Sequence, residues 1–273
     1  MVEVLVHFVA PALVGVLIGI ASGLLGIGGG TVMVPIFRLA FGMSATMSTA
    51  TSLFAIIPTS ISGAISHVKG KTCIPALGIA AGLGGACLSP VGVWLAQLSP
   101  DWLVMLAAAL IIGYSAINMF KKAFKIPRAG QPAEGADAAA STADDSSLSR
   151  KQLLQGAAIG LLAGLASGYV GVGGGFIMVP LMLSIIGIPM RKASGTSLIA
   201  VMILAIPGVI EQGIIGNINY LAGIAIVIGT IPGAVIGARL VTKVPERTLR
   251  LLFGCFLIVA AVMLVLNEVG IFG

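Results

Sequence analysis

Ser22-Gly23-Leu24-Leu25-Gly26-Ile27-Gly28-Gly29-Gly30-Thr31-Val32-Met33-Val34-Pro35 returns later in the chain as Ser167-Gly168-Tyr169-Val170-Gly171-Val172-Gly173-Gly174-Gly175-Phe176-Ile177-Met178-Val179-Pro180. The offset, read from Gly28 to Gly173, is 145 positions. It holds well beyond the motif: Thr51-Ser52-Leu53 recurs as Thr196-Ser197-Leu198, Gly92 as Gly237, Leu95 as Leu240 and Pro100 as Pro245. The chain is therefore built from two copies of one unit. In both, a glycine run interrupts an apolar segment at the same place. Paired interruptions of this kind in a hydrophobic chain point to the binding site of a transporter.

Hydrophobic residues make up 58% of the sequence and charged residues 9%, with a mean hydropathy of +1.13. A soluble domain carries roughly 25% charged residues, so this chain cannot cover itself in water. Continuously apolar runs span 4–25, 46–66, 74–96, 102–120, 153–170, 194–214, 221–240 and 249–270. Most approach or exceed the ~20 residues that a membrane-spanning helix needs. They do not alternate, which argues against a barrel. The expected class is an all-α polytopic membrane protein. The first run has no preceding Lys or Arg, unlike a cleavable signal peptide, and is expected to be retained. The net charge of +6 sits mainly in short loops, where it sets topology, and implies no nucleic acid. Cys73, Cys87 and Cys255 form no metal or redox spacing and read as small apolar filler.

Between the copies, 127–150 is rich in Ala, Gly, Pro and Ser and holds Glu134, Asp137, Asp144 and Asp145, four of the nine acids. Such a stretch cannot offset its ordering entropy by burial. The chain divides into a first membrane repeat (1–126), a flexible cytoplasmic linker (127–150) and a second membrane repeat (151–273).

Loop charges orient the repeats. In the first copy, Lys69 and Lys71 place 67–73 inside; 97–101, with Asp101 and no base, lies outside; Lys121, Lys122, Lys125 and Arg128 return the chain inside. In the second copy the signs reverse. The loop 212–218 has no base, 242–250 has Lys243, Arg247 and Arg250, and 187–192 has Arg191 and Lys192 where 42–47 has none. The expectation is two inverted-topology repeats with both termini outside. Inversion needs an odd number of crossings per repeat. The pieces 31–41 and 176–188 are 11 and 13 residues long, roughly 17–20 Å as helix and too short for the ~30 Å core. Each repeat thus reads as a Gly-broken leading helix pair followed by three spanning helices.

Chemistry is expected at the breaks. Gly28, Gly29 and Gly30, and Gly173, Gly174 and Gly175, would each cost ~1 kcal/mol in a helix relative to Ala. Nonhelical backbone at membrane depth survives only in protein or beside a wet cavity. A helix restarting at Thr31 or Phe176 aims free N–H groups and a positive dipole end into the break, which suits an anion. Pro35 and Pro180 are expected to kink the short helices. The competing reading gives the glycines to close helix packing, as for the ridges Gly15, Gly19, Gly23 and Gly156, Gly160, Gly164, Gly168. Thr51-Ser52 and Thr196-Ser197 open the next helix in each copy, to cap it or to bond an oxyanion. His67, Glu211, Gln212 and Arg239 lie near helix ends, where interfacial anchoring accounts for them. No central acid, nucleotide motif or catalytic set is present. The chain reads as no enzyme, with no cofactor and no metal.

At Gly26–Pro35 and its second copy, the chain resembles the TauE/SafE family of membrane permeases, over both repeats. The resemblance implies an inner-membrane transporter of a bacterium or archaeon that exports sulfite, sulfoacetate or a related organosulfur anion. Phe176 in place of Thr31 makes the two half-sites chemically unequal. The expected partners are a small anionic substrate and the lipid bilayer, with a homo-oligomer left open. The alternative is a channel-like pore, or a scaffold that uses the glycines for packing alone.

Overall fold

A computed structural model describes residues 10–124 and 149–268. The expected 127–150 linker lies outside the described residues except for Ser149 and Arg150, which start a helix. All regular structure among the described residues is helical. The first copy supplies α1 (Ala10–Leu25), α2 (Gly30–Phe41), α3 (Ala45–Lys69), α4 (Pro75–Leu98) and α5 (Asp101–Phe124). The second supplies α6 (Arg150–Val170), α7 (Gly175–Leu181, continuing as a π turn Met182–Ile186), α8 (Met190–Ile215), α9 (Tyr220–Leu240) and α10 (Glu246–Glu268). Seven of these, α3 to α6 and α8 to α10, are long and apolar enough to cross a membrane. The short pieces sit where the glycine runs placed them.

Local chemistry sets the ends. Ser44 caps α3 by accepting the Met47 N–H at 3.2 Å, and Ser149 caps α6 in a capping box with Gln152. The starts of α3 and α8 take a further acceptor from a distant helix. Asp101 Oδ2 accepts the Ala45 N–H and Glu246 Oε1 accepts the Met190 N–H, each at 3.3 Å. A carboxylate at a helix start also meets the positive dipole end. Past Pro180 the short helix widens into its π turn, as a missing backbone donor allows, whereas α2 stays α-helical beyond Pro35.

The copies interlock rather than sit side by side. Gly15, Gly19 and Gly23 of α1 meet the carbonyls of Ile226, Thr230 and Ala234 in α9, in the same chain direction. Gly160, Gly164 and Gly168 of α6 meet those of Ala81, Gly85 and Ser89 in α4. Shifting every number by 145 exchanges the two sets. A Cβ built on Gly160 would lie 1.9 Å from the Ala81 oxygen, so these ridges are packing surfaces where backbones touch. At the centre α3 passes α8 in the opposite direction, with Leu53 against Gly208, Gly63 against Leu198 and His67 against Gly195. The outer surface is apolar: Leu17 and Tyr114 are each 69% exposed, a face for lipid rather than water.

Candidate functional site

The two glycine breaks lie against each other at the middle of the molecule. Gly26, Gly28 and Gly29 have φ of 76°, 76° and 86°; their counterparts Gly171, Gly173 and Gly174 have 73°, 87° and 69°. Left-handed backbone at three of four consecutive positions is what only glycine adopts without strain. Close approach is the second reason. A Cβ on Gly30 would stand 2.5 Å from the Val172 carbonyl oxygen, and one on Gly175 2.5 Å from the Gly26 oxygen. Gly28 and Gly173 both face the same pair, Ile56 of α3 and Val201 of α8. Those residues are midway along their helices, so both breaks sit at half-height.

The first break is the richer in unmatched donors. Among the described residues, neither the Gly30 nor the Thr31 N–H finds an acceptor, as expected of the first turn of a helix. The Thr31 hydroxyl is fully buried and unpartnered. So are Ser22, whose Cβ is 3.7 Å from a Cβ built on Gly29, and Ser60, whose Oγ is 3.3 Å from one built on Gly28. A buried hydroxyl without a partner costs about 1–3 kcal/mol, and three belong to residues in or against this break. At the second break the Gly175 N–H turns back to the Gly173 oxygen at 2.8 Å. Phe176, fully buried, replaces Thr31, and Ala205 replaces Ser60. Only Ser167, the counterpart of Ser22, keeps an orphaned hydroxyl there.

The Thr-Ser pairs have other work. They do not open their helices: α3 begins at Ala45 and α8 at Met190, so the pairs lie almost two turns in. Thr51 Oγ1 accepts the Asn219 N–H at 3.0 Å, and Thr196 Oγ1 accepts the Ile74 N–H at 2.9 Å. Each threonine thus satisfies the residue that leads into a helix of the other copy. Thr196 also donates to the Lys192 oxygen at 2.7 Å, which leaves it no free proton. Ser197 Oγ lies 2.7 Å from the Gly26 oxygen and 2.8 Å from the Ser194 oxygen of its own helix, sharing its one proton between the first break and α8, whereas the Ser52 hydroxyl is buried without a partner.

His67 and Gln212 are not interfacial anchors. They are 0% and 1% exposed, held by polar bonds inside the helix bundle, while Arg239 is exposed at its helix end. Ser22 and Ser60 are the polar residues that sequence reading overlooked. Ser22 carried a signal, its recurrence as Ser167 inside the motif. Ser60 carried none, because its counterpart is Ala205.

Comparison with known proteins places the chain among membrane transporters. The family model described as Sulfite exporter TauE/SafE matches residues 11–264. The chain is 27% identical over 281 residues to "Probable membrane transporter protein YunE" of Bacillus subtilis (strain 168), covering 97% of this chain and 99% of the relative. It is 28% identical to "Probable membrane transporter protein YdhB" of the same organism, over 87% and 92% of the two chains. It is 29% identical to a "Probable membrane transporter protein" of Haemophilus influenzae, over 93% and 97%. No solved structure matches. With the family model spanning nearly the whole chain and seven apolar helices long enough to cross a bilayer, this multi-pass membrane protein belongs to the TauE/SafE family of membrane transporters.

Proposed function

We propose that the chain is a secondary transporter exporting a small anion, sulfite, a sulfonate or a related organosulfur oxyanion, and that the first glycine break is its principal binding half-site. The observation that carries the reading is the set of unmatched donors there: the N–H groups of Gly30 and Thr31 and the hydroxyls of Ser22, Thr31 and Ser60. A compact oxyanion accepts from many donors at once and is favoured by the positive end of α2. Among the described residues no acid lines this place, so a cation would meet repulsion with no counter-charge. Gly28–Gly30 and Gly173–Gly175 are proposed to frame the site from both copies, Phe176 to wall it, and Ser52 to add a hydroxyl. Thr51, Thr196 and Ser197 act as struts that hold the breaks. The Sulfite exporter name of the family supports the sulfur oxyanion class.

Export by alternating access needs two halves related across the membrane plane. We propose that the repeats, 1–126 and 151–273, are inverted in a bacterial or archaeal inner membrane with both termini outside and the 127–150 linker in the cytoplasm. The opposite directions of α3 and α8 and the reversed loop charges support it.

One proteoliposome assay tests the reading, with the full chain offered sulfite, sulfate, sulfoacetate and a monovalent cation. Saturable flux of at least one anion and none of the cation is expected. Cation uptake with no response to any anion overturns it.

A further inference from the structure

Bonded to Gly23, just ahead of the first break, is a buried histidine whose counterpart in the second copy is Gln212. His67, in the last turn of α3, is 0% exposed. Its Nε2 is 2.7 Å from the Gly23 carbonyl oxygen of α1, and its Nδ1 is 2.7 Å from Thr72 Oγ1. A carbonyl can only accept, so Nε2 carries a hydrogen, and in the neutral ring Nδ1 is the acceptor of the Thr72 hydroxyl. Thr72 Oγ1 is also 3.3 Å from the carbonyl oxygen of His67. The hydroxyl can therefore turn its hydrogen to that carbonyl and accept an Nδ1–H instead. Both protonation states of the ring are satisfied with no heavy atom moved.

The site is also reachable. Thr72 lines an open cavity of about 440 Å³ with Lys71, Pro189, Arg191, Lys192 and Glu246. The second copy supplies a control. There Gln212 stands for His67 and Asn217 for Thr72, and Asn217 Nδ2 donates to Gln212 Oε1 at 2.8 Å. The fold's requirement at this place is thus met by a pair that cannot titrate, and histidine adds something else. Among the described residues, the charged and titratable groups lining the two cavities that flank the histidine's turn are Lys69 of its own helix and Arg239 of α9 in one, and Lys71 of the connection, Arg191 and Lys192 of α8 and Glu246 of α10 in the other, with Cys73 also in the connection. Glu246 is paired with Arg250. The described part of α1 holds no titratable residue.

We propose that His67 is a proton-binding site whose occupancy is coupled to that of the anion. Hydronium in the cavity gives a proton to Thr72 Oγ1 as the threonine's own proton passes to His67 Nδ1, leaving water behind. The charged ring then bonds more strongly to the Gly23 carbonyl, three residues before Gly26 enters the break. A positive ring and an anion in the break attract each other, so each raises the other's affinity by the same factor. The coupling rests on the anion-transport reading; the proton site does not.

Two measurements separate these parts. The full chain in lipid bilayers, labelled with ¹⁵N-histidine, is titrated from pH 5 to 9, the range in which histidine ordinarily changes charge. The reference is the His67→Gln/Thr72→Asn variant, which installs the second copy's own pair. The expected result is one signal, absent from the variant, whose Nδ1 passes from bare to protonated, with a midpoint about tenfold in proton concentration more alkaline when sulfoacetate is added. An Nδ1 that stays bare across the range overturns the site. In pyranine-filled proteoliposomes a sulfoacetate gradient should move protons, at least tenfold less in the variant. Proton movement equal in the two, or a midpoint indifferent to sulfoacetate, overturns the coupling. If the wild type moves no anion at all, the transport reading fails and the titration still decides whether His67 binds a proton.

Discussion

Thr31→Val separates a buried hydroxyl that waits for a ligand from one that is merely enclosed. Valine keeps the shape of threonine and deletes Oγ1, which is fully buried and bonds nothing in the protein. Leaving such a group unsatisfied costs about 1–3 kcal/mol, so the variant should be more stable by on the order of 1 kcal/mol. Affinity should move the other way. A hydrogen bond to a charged group is worth about 1.5–3 kcal/mol, which at about 1.4 kcal/mol per decade weakens anion binding about 10- to 150-fold. Thr196→Val is the contrast, because that hydroxyl accepts from Ile74 and donates to Lys192; it should lose about 1–3 kcal/mol of stability. The assay pairs thermal unfolding in detergent with the concentration dependence of sulfite and sulfoacetate flux in proteoliposomes. A Thr31→Val protein that is more stable and binds as tightly as the wild type refutes the role given to the first break.

Other consequences are simpler to read. Gly160→Val, where a Cβ would meet the Ala81 oxygen at 1.9 Å, should sharply lower the folded yield, while Gly113→Val, with nothing within 4 Å, should leave it unchanged; fluorescence-detected size exclusion reads both. Asp101→Asn should cost about 0.3–1 kcal/mol through the start of α3, seen as a small drop in melting temperature. In a cysteine-free background, Ser141→Cys should be labelled only from the cytoplasm, and Gly216→Cys, exposed just past the end of α8, only from outside. Labelling of both from one side would end the inverted reading.

The helical class, the two copies and the broken leading segments were legible because each is written locally. Apolar length names a helix, and Gly28–Gly30 names the place where it cannot continue. What touches what was not legible. That α1 lies on α9 depends on contacts more than 200 residues apart, and the glycine ridge announces close packing without naming its partner. The task of Thr51 was hidden for the same reason, since its acceptor role is defined by Asn219 in the other copy. The burial of His67 was obscured by its place near a helix end, where short sequence windows cannot tell a wet face from one covered by Gly195.

The long reach of the α1–α9 contact bears on how the protein is made. Gly15 waits for Gly229, more than 200 residues downstream, and at about 5–20 residues per second this is roughly 10–40 s of synthesis. The ridge on α6 finds α4 already in place as it emerges. A nascent chain that stalls before α9 therefore leaves its first helix without its companion, its glycine backbone turned toward lipid, and becomes the form that membrane proteases should find first.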